Sequence, residues 1–398
     1  MPPSPAEPLD LALLEPYCKG SHAAWARGYA ASSRHRVDLY DLPGIHWKWR
    51  MCHAPLTLAR RLAGAGSPPQ ALLCSSMVDL ATLRGLLPPG WPRPPTVLYF
   101  HENQLTYPLA PGEGRDLHFA WIQVVSCLAA EAVVFNSAFH RDDFLGALPA
   151  FLRSLPDHSP RLCAEEIEEK STVIAPGVAT EDFARAAAVR PPRTGPLRLL
   201  WNHRWEADKE PLPFLRALVR LAAGETPFQV VLAGAGADRP GPAATALIDR
   251  LGKRVVHRGL AAAADYPALV ASCDVAVSTA RHDFYGIATV EAMAAGLLPL
   301  LPRRQNYPAL LPPEYREECL YDRPGELPSR LQRWAERPGE VRRRGAPLAA
   351  CARRGDRAAT TAALDRLLAE TALRPPPPPP ESGGPRGSGA RSGPCGSG

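Results

Sequence analysis

Short apolar runs rich in β-branched residues recur along the chain with helix-length stretches between them, and they do so in two series. The first occupies residues 9–16, 36–43, 71–76, 96–102, 132–137 and 172–177. Runs of this length, separated by helical segments, predict βα units and a parallel sheet whose strands are covered on both faces. The segment VRPPRTGP at 189–196, with three prolines and a glycine, breaks the pattern. A second series then follows at 197–204, 228–236, 254–260, 274–280 and 297–302, and a helical segment at 356–370 closes it. The economical reading is α/β: two doubly wound domains, 1–188 and 189–374, with ligand expected where the carboxyl ends of the two sets of strands face each other.

Composition excludes other classes. A chain of 398 residues that is 45% hydrophobic and 22% charged buries a sizeable core, so neither a disordered regulator nor a small disulfide scaffold fits. Many of the 46 prolines are local: residues 375–398 hold eight prolines and seven glycines, the composition of a disordered tail. Nine cysteines, an odd number without a CxxC pair, predict reduced thiols in a reducing compartment. No secretory leader and no membrane-length apolar run are found, so a soluble intracellular protein without a membrane partner is expected. The net charge of +6 is uneven: residues 1–190 carry 17 Lys and Arg against 19 Asp and Glu, and residues 191–374 carry 27 against 20. Nine arginines between 330 and 357 suit either a polyanion or an ordinary solvated helix face.

Polar clusters fall just after several predicted strands. Lys19-Gly20-Ser21-His22 opens a helix, where glycine allows close backbone approach and free amides attract an anion; an ordinary βα turn reads the same way. His101-Glu102-Asn103-Gln104 is poor core material, so His101 becomes a sugar-binding or proton-handling candidate beside the plainer reading of a satisfied turn. Asn136-Ser137 suits a pocket wall or a capped helix start. In the second half, Asn202, Arg204 and Lys209 lie within a run interleaved with two tryptophans. Arg204 as a fork and Lys209 as a mobile charge would neutralise a diphosphate. From 278 to 296 a strand end, a glycine turn and a helix start place Asp283 and the Gly286 amide at the helix mouth, to meet a sugar. Glu291, eight residues on from Asp283, would accept both ribose hydroxyls. Trp47 and Trp49 in HWKWR suit either a nucleotide-facing loop or a half-buried strand. Trp47, Trp49 and Tyr107 are stacking candidates, and Arg342, Arg343 and Arg344 are candidates for RNA phosphate.

These residues carry a resemblance. D-F-Y-G-x4-E-A-M-A-x-G from Asp283, preceded by R-x4-K from Arg204, resembles the donor site of retaining GT-B glycosyltransferases. LYFHENQLTYP, VVFNSAFHRDDFL, WNHRWEADKEP and STARHDFYGIATVEAM are similar to the tRNA-queuosine alpha-mannosyltransferase family over residues 9–370. The resemblance implies a GT-B fold, two Rossmann-like domains facing each other across a cleft, with an acceptor-side domain first and a nucleotide-sugar domain second. It implies transfer of mannose from GDP-mannose, with retention, to the cyclopentene diol of queuosine at the wobble position of tRNA-Asp. A cytoplasmic or also nuclear location, and no obligate protein partner, go with it. Carried over by position, Gly20, Ser21 and His22 approach the donor phosphates, His101 the sugar, Arg204 and Lys209 the diphosphate, Asp283 the mannose hydroxyls and Glu291 the ribose. Asn136 and Asn202 line the donor. One departure is visible: Asp283 stands where the usual pattern has glutamate, one methylene longer. With two cations on the leaving group and no strand-end DxD motif, the expectation is metal independence and no cofactor beyond the donor. Competing readings keep the fold but change the acceptor to a lipid-linked glycan or small metabolite, or make the chain a silent RNA-binding protein or an epimerase.

Overall fold

The computed structural model describes residues 7–373 apart from 110, 111, 113 and 161; the expected disordered tail at 375–398 lies outside the described residues. The first sheet holds β1 (Asp10–Cys18), β2 (Arg36–Pro43), β3 (Ala71–Ser75), β4 (Thr96–Phe100), β5 (Ala132–Phe135) and β6 (Ser171–Val173), in the order β2-β1-β3-β4-β5-β6. The second holds β7 (Leu197–Trp201), β8 (Phe228–Leu232), β9 (Val255–Arg258), β10 (Val275–Val277), β11 (Leu298–Pro302) and β12 (Leu320–Tyr321), in the order β12-β11-β10-β7-β8-β9. Every pairing is parallel. Each predicted run contains a strand. Only β12 escapes the periodicity, because two residues show no alternation.

Burial explains the runs. β3, β4 and β5 are buried at every residue, as central strands covered by helices on both faces must be, whereas the edge strand β2 is only half-buried. Strand order reverses between β1 and β3 in the first sheet and between β7 and β10 in the second, so a crevice opens at the carboxyl ends of those strands. The polar clusters after β1, β7 and β10 fall at those ends, and the one after β4 lies one strand further on, beyond β3.

Two helices do not pack in chain order. Phe183 of the helix Thr180–Val189 is buried in the core of the second sheet. Leu364 and Leu368 of the C-terminal helix Arg357–Leu373 are buried beside Leu11, Leu13 and Leu73 of the first. Asp365 on that helix accepts from the Tyr29 hydroxyl at 2.7 Å, the Ser33 hydroxyl at 2.7 Å and the Arg34 amide at 3.0 Å, which holds it to the first sheet. HWKWR is neither loop nor strand. It starts α2 (Trp47–Gly64) after His46 at φ 51°, and Met51, Ala54, Leu58 and Leu62 continue its buried face. Among the described residues no helix is long and apolar enough to cross a membrane, and the eight described cysteines are free thiols.

Candidate active site

The first half-site is built at the ends of β1 and β4. Glu15 is fully buried near the end of β1, and its Oε1 accepts from the Tyr17 amide at 2.9 Å. The helix α1 (Gly20–Ser32) begins at Gly20, φ 54°, and Gly20 and Ser21 are exposed at its mouth. A side chain at Gly44 would collide with Lys19, so a glycine in the next loop keeps this turn in place. His22 does not join Gly20 and Ser21 at the surface, which corrects its expected place on the donor phosphates. It is buried, with Nδ1 3.0 Å from Glu15 Oε2 and Nε2 3.1 Å from Glu102 Oε2. Burial opposes its charge, but Glu15 and Glu102 outweigh burial and raise its pKa to about 10. His22 is therefore an imidazolium fixed between two carboxylates.

His101 lies against His22 with ring centroids 4.2 Å apart, and its Nε2 is buried without a partner, 4.0 Å from Glu15 Oε2. Burial and then the His22 charge hold its pKa well below the ordinary value, so His101 is a neutral ring. Burial also opposes ionisation of Glu102, yet His22, with Arg204 and His282 of the second domain, keeps its pKa low. The turn is braced: Ser76 Oγ at 3.1 Å and Gln123 Nε2 at 3.3 Å donate to the Glu102 carbonyl. Asn136 is used up in the same way, donating to the His101 carbonyl at 2.9 Å while its Oδ1 meets His140 Nδ1 at 2.9 Å. It is a brace for the His101 turn, not a donor contact. Glu15, His22 and His101 bring donor atoms within 4.8 Å of one another, the grouping among the described residues that most resembles a metal set. Both His22 nitrogens are taken by carboxylates, so the group closes on itself as a hydrogen-bonded chain.

The second half-site sits at the ends of β7 and β10. Lys209 is buried, donates to the His282 carbonyl at 2.6 Å, and stands 3.2 Å from Asp208 and 3.8 Å from Asp283. Asp283 Oδ1 accepts the Gly286 amide at 2.9 Å and Oδ2 the Tyr307 hydroxyl at 3.2 Å. The Gly286 amide, expected to meet a sugar, is thus bonded to Asp283. Gly286 adopts φ 96°, a conformation that L side chains rarely adopt, and a Cβ there would press on the Leu310 side chain at 3.1 Å. Burial opposes the Asp283 charge, but Lys209, His203 and these bonds lower its pKa. Burial and Lys209 push His203 and His282 down to about 4, so both rings are neutral. Arg204 is exposed and paired with Glu206 at 3.0 Å. Glu291 Oε2 accepts the Tyr266 hydroxyl at 2.8 Å, and burial lifts its pKa to about 7. Asn202 Nδ2 donates to that Tyr266 oxygen at 2.8 Å and to the Ala288 carbonyl at 3.1 Å, so it positions Glu291 through Tyr266. Tyr266, Tyr307 and Gln305, whose side-chain oxygen accepts the Asp283 amide, were not legible as site residues. Glu15 was not singled out either, although a carboxylate inside a mostly apolar strand is a signal that could have found it.

The halves touch through Phe284: Ser137 Oγ donates to its carbonyl at 2.5 Å and the His140 ring stacks on it at 3.9 Å. The RNA candidates separate. Trp47 packs on Phe119 at 5.1 Å, whereas Trp49 is 60% exposed with its ring stacked on His53. Arg342 is held by the buried Asp274 at 2.9 Å, and Arg344 by Glu318 at 2.7 Å while lying over Tyr315. That corrects Arg342 as a phosphate contact, because its charge is engaged by a buried carboxylate, whereas Arg344 stands in a part-exposed ion pair. Arg343 is exposed and pairs with no carboxylate among the described residues.

Comparison with known proteins gives the family and the fold. The family of tRNA-queuosine alpha-mannosyltransferase N-terminal domains matches residues 10–178, and the glycosyl transferases group 1 family matches residues 198–325. The tRNA-queuosine alpha-mannosyltransferase of Drosophila melanogaster is 30% identical over 338 residues, covering 83% of this chain and 88% of that one. Among solved structures, Anabaena HepE in complex with UDP superposes with a TM-score of 0.64 at 16% identity, covering 91% of this chain and 100% of its own. Sucrose-phosphate synthase from Thermosynechococcus elongatus gives 0.65 at 15% identity, covering 90% and 98%. The shared fold is two facing Rossmann-like domains, GT-B.

Proposed function

The chain belongs to the tRNA-queuosine alpha-mannosyltransferase family, and from that premise we propose that it transfers mannose from GDP-mannose, with retention, to queuosine at the wobble position of tRNA-Asp. It is a glycosyltransferase acting on queuosine-bearing tRNA; the donor and the tRNA identity are the added step. The observation that carries the reading is the position of Arg204 and Lys209 just past the carboxyl end of β7, with Lys209 3.8 Å from Asp283 and Arg204 close enough to Glu102 of the opposite domain to help lower its pKa.

Breaking a sugar–phosphate bond leaves extra negative charge on the departing diphosphate, and preorganised cations act where that charge develops. Arg204 supplies a planar fork and Lys209 a buried point charge, already aimed beside Asp283. With two cations on the leaving group, the reaction proceeds without a metal. Asp283, ionised and braced by Tyr307, accepts from mannose hydroxyls, and Glu291 accepts from the ribose. Neutral His101 faces the sugar near the reacting carbon. No carboxylate is placed as a nucleophile, so the acceptor hydroxyl attacks on the face the diphosphate leaves, and its proton passes to the departing phosphate. On the acceptor side, exposed Trp49 offers a stacking surface and Arg343 a phosphate contact.

Incubation with labelled GDP-mannose and total tRNA, with or without queuosine, tests the reading: label enters only queuosine-bearing tRNA, and turnover survives a chelator. Label in queuosine-free tRNA refutes the acceptor, and preference for a uridine donor refutes the base.

A further inference from the structure

The Glu15–His22–Glu102 chain is not used by the mechanism above. His22 occupies one oxygen of Glu102 from inside the protein, while the Glu102 side chain keeps 24% of its surface exposed toward the cleft. No Arg or Lys lies within 4.0 Å of Glu102 among the described residues, so no surface salt bridge consumes its charge. Arg204 and His282, on the opposite wall, act on it only through space. Beside it, His101 Nε2 is buried and unpartnered on a side chain that is 5% exposed, a polar atom that protein alone leaves unsatisfied. A rigid carboxylate with one free oxygen is a double acceptor, and two adjacent hydroxyls are the neutral group that meets it with two donors.

We propose that Glu102, anchored through His22 on Glu15, is the group by which the first domain grips a vicinal diol in the cleft. This rests on the function proposed above, which offers that chemistry from two sources: the ring hydroxyls of the donor sugar, or the cyclopentene diol of the acceptor. Glu102 is the contact residue, and His22 and Glu15 are positioning residues that hold its orientation. The neutral His101 ring borders the same space and adds a hydrogen-bonding nitrogen without a competing charge.

The experiment uses the full chain and the variants Glu102→Gln and His22→Asn, with calorimetric affinities for GDP and GDP-mannose and the KM for queuosine-bearing tRNA. If the diol is the donor's, Glu102→Gln weakens GDP-mannose about tenfold and leaves GDP unchanged, the loss expected for a charge-assisted hydrogen bond. If it is the acceptor's, nucleotide affinities stay the same and the KM for tRNA rises about tenfold with a smaller change in kcat. His22→Asn shifts the same constant in the same direction by a lesser factor, and it carries the test if Glu102→Gln does not fold. Unchanged affinities and KM in both variants overturn the proposal, as does a fall in kcat alone. A wild-type chain that binds GDP-mannose but labels no queuosine-bearing tRNA refutes the function and leaves the donor arm readable.

Discussion

A buried histidine held by two carboxylates and a buried glutamate held by a tyrosine both lose folding stability as pH rises, but over different windows. His22 has its pKa raised from the ordinary imidazole range to about 10. Its pairing therefore stabilises the fold fully below the unfolded pKa, and that contribution is lost as pH rises through about 10. Melting temperature should fall between pH 7 and 10 more steeply in the wild type than in His22→Asn, read by calorimetry. Glu291 is raised to about 7 by burial, so its folding contribution is complete below its ordinary value and lost as pH rises through 7. Donor binding runs the other way, because ribose hydroxyls need the ionised carboxylate. The KM for the donor should climb as pH drops below 7, and this dependence should vanish in Glu291→Gln. Lys209→Ala should lower kcat by about 10²–10³-fold, the scale of removing one preorganised stabiliser of developing charge. Near-full activity in steady-state assays would remove Lys209 from the mechanism.

Among elements, the helix at 338–345 shows how little a charge run says without its neighbours. Arg342, Arg343 and Arg344 are adjacent, yet Arg342 reaches the buried Asp274, Arg344 reaches Glu318, and Arg343 points outward. Arg342→Ala should cost about 1–3 kcal/mol in denaturant unfolding, since it strips one partner from a buried carboxylate that Arg193 and the Arg198 amide still hold. Arg343→Ala should leave stability alone and reduce the salt slope of tRNA binding by about one charge. An equal slope in both variants would dismiss Arg343 as a phosphate contact. The start of α2 teaches the same lesson. Over five residues HWKWR alternates like a strand, and only the spacing of Trp47, Met51, Ala54, Leu58 and Leu62 reveals the helix.

At the scale of the whole molecule, the last helix ties the ends of the chain together. Leu368 sits in the core beside Leu11 and Tyr99, so Leu368→Ala should destabilise the first domain by about 2–5 kcal/mol although it lies far away in sequence. Faster amide exchange in β1 and β3 than in β8 is the expected signature. The two parallel sheets and the chemistry-bearing turns were legible from the amino acids, because strand burial and turn composition are written in consecutive residues; the crossing of the helices at 180–189 and 357–373 to the sheet opposite the one the sequence assigned them was not. The placing of Asp283 and Lys209 side by side just past strand ends was legible too, through their spacing in the sequence. The environments of those groups belong to the tertiary structure alone. His22 meets Glu102 across 80 residues, Arg342 meets Asp274 across 68 and Tyr29 meets Asp365 across 336. Whether a charge is neutralised, buried or left facing a ligand depends on such distant partners, and a local pattern does not encode them.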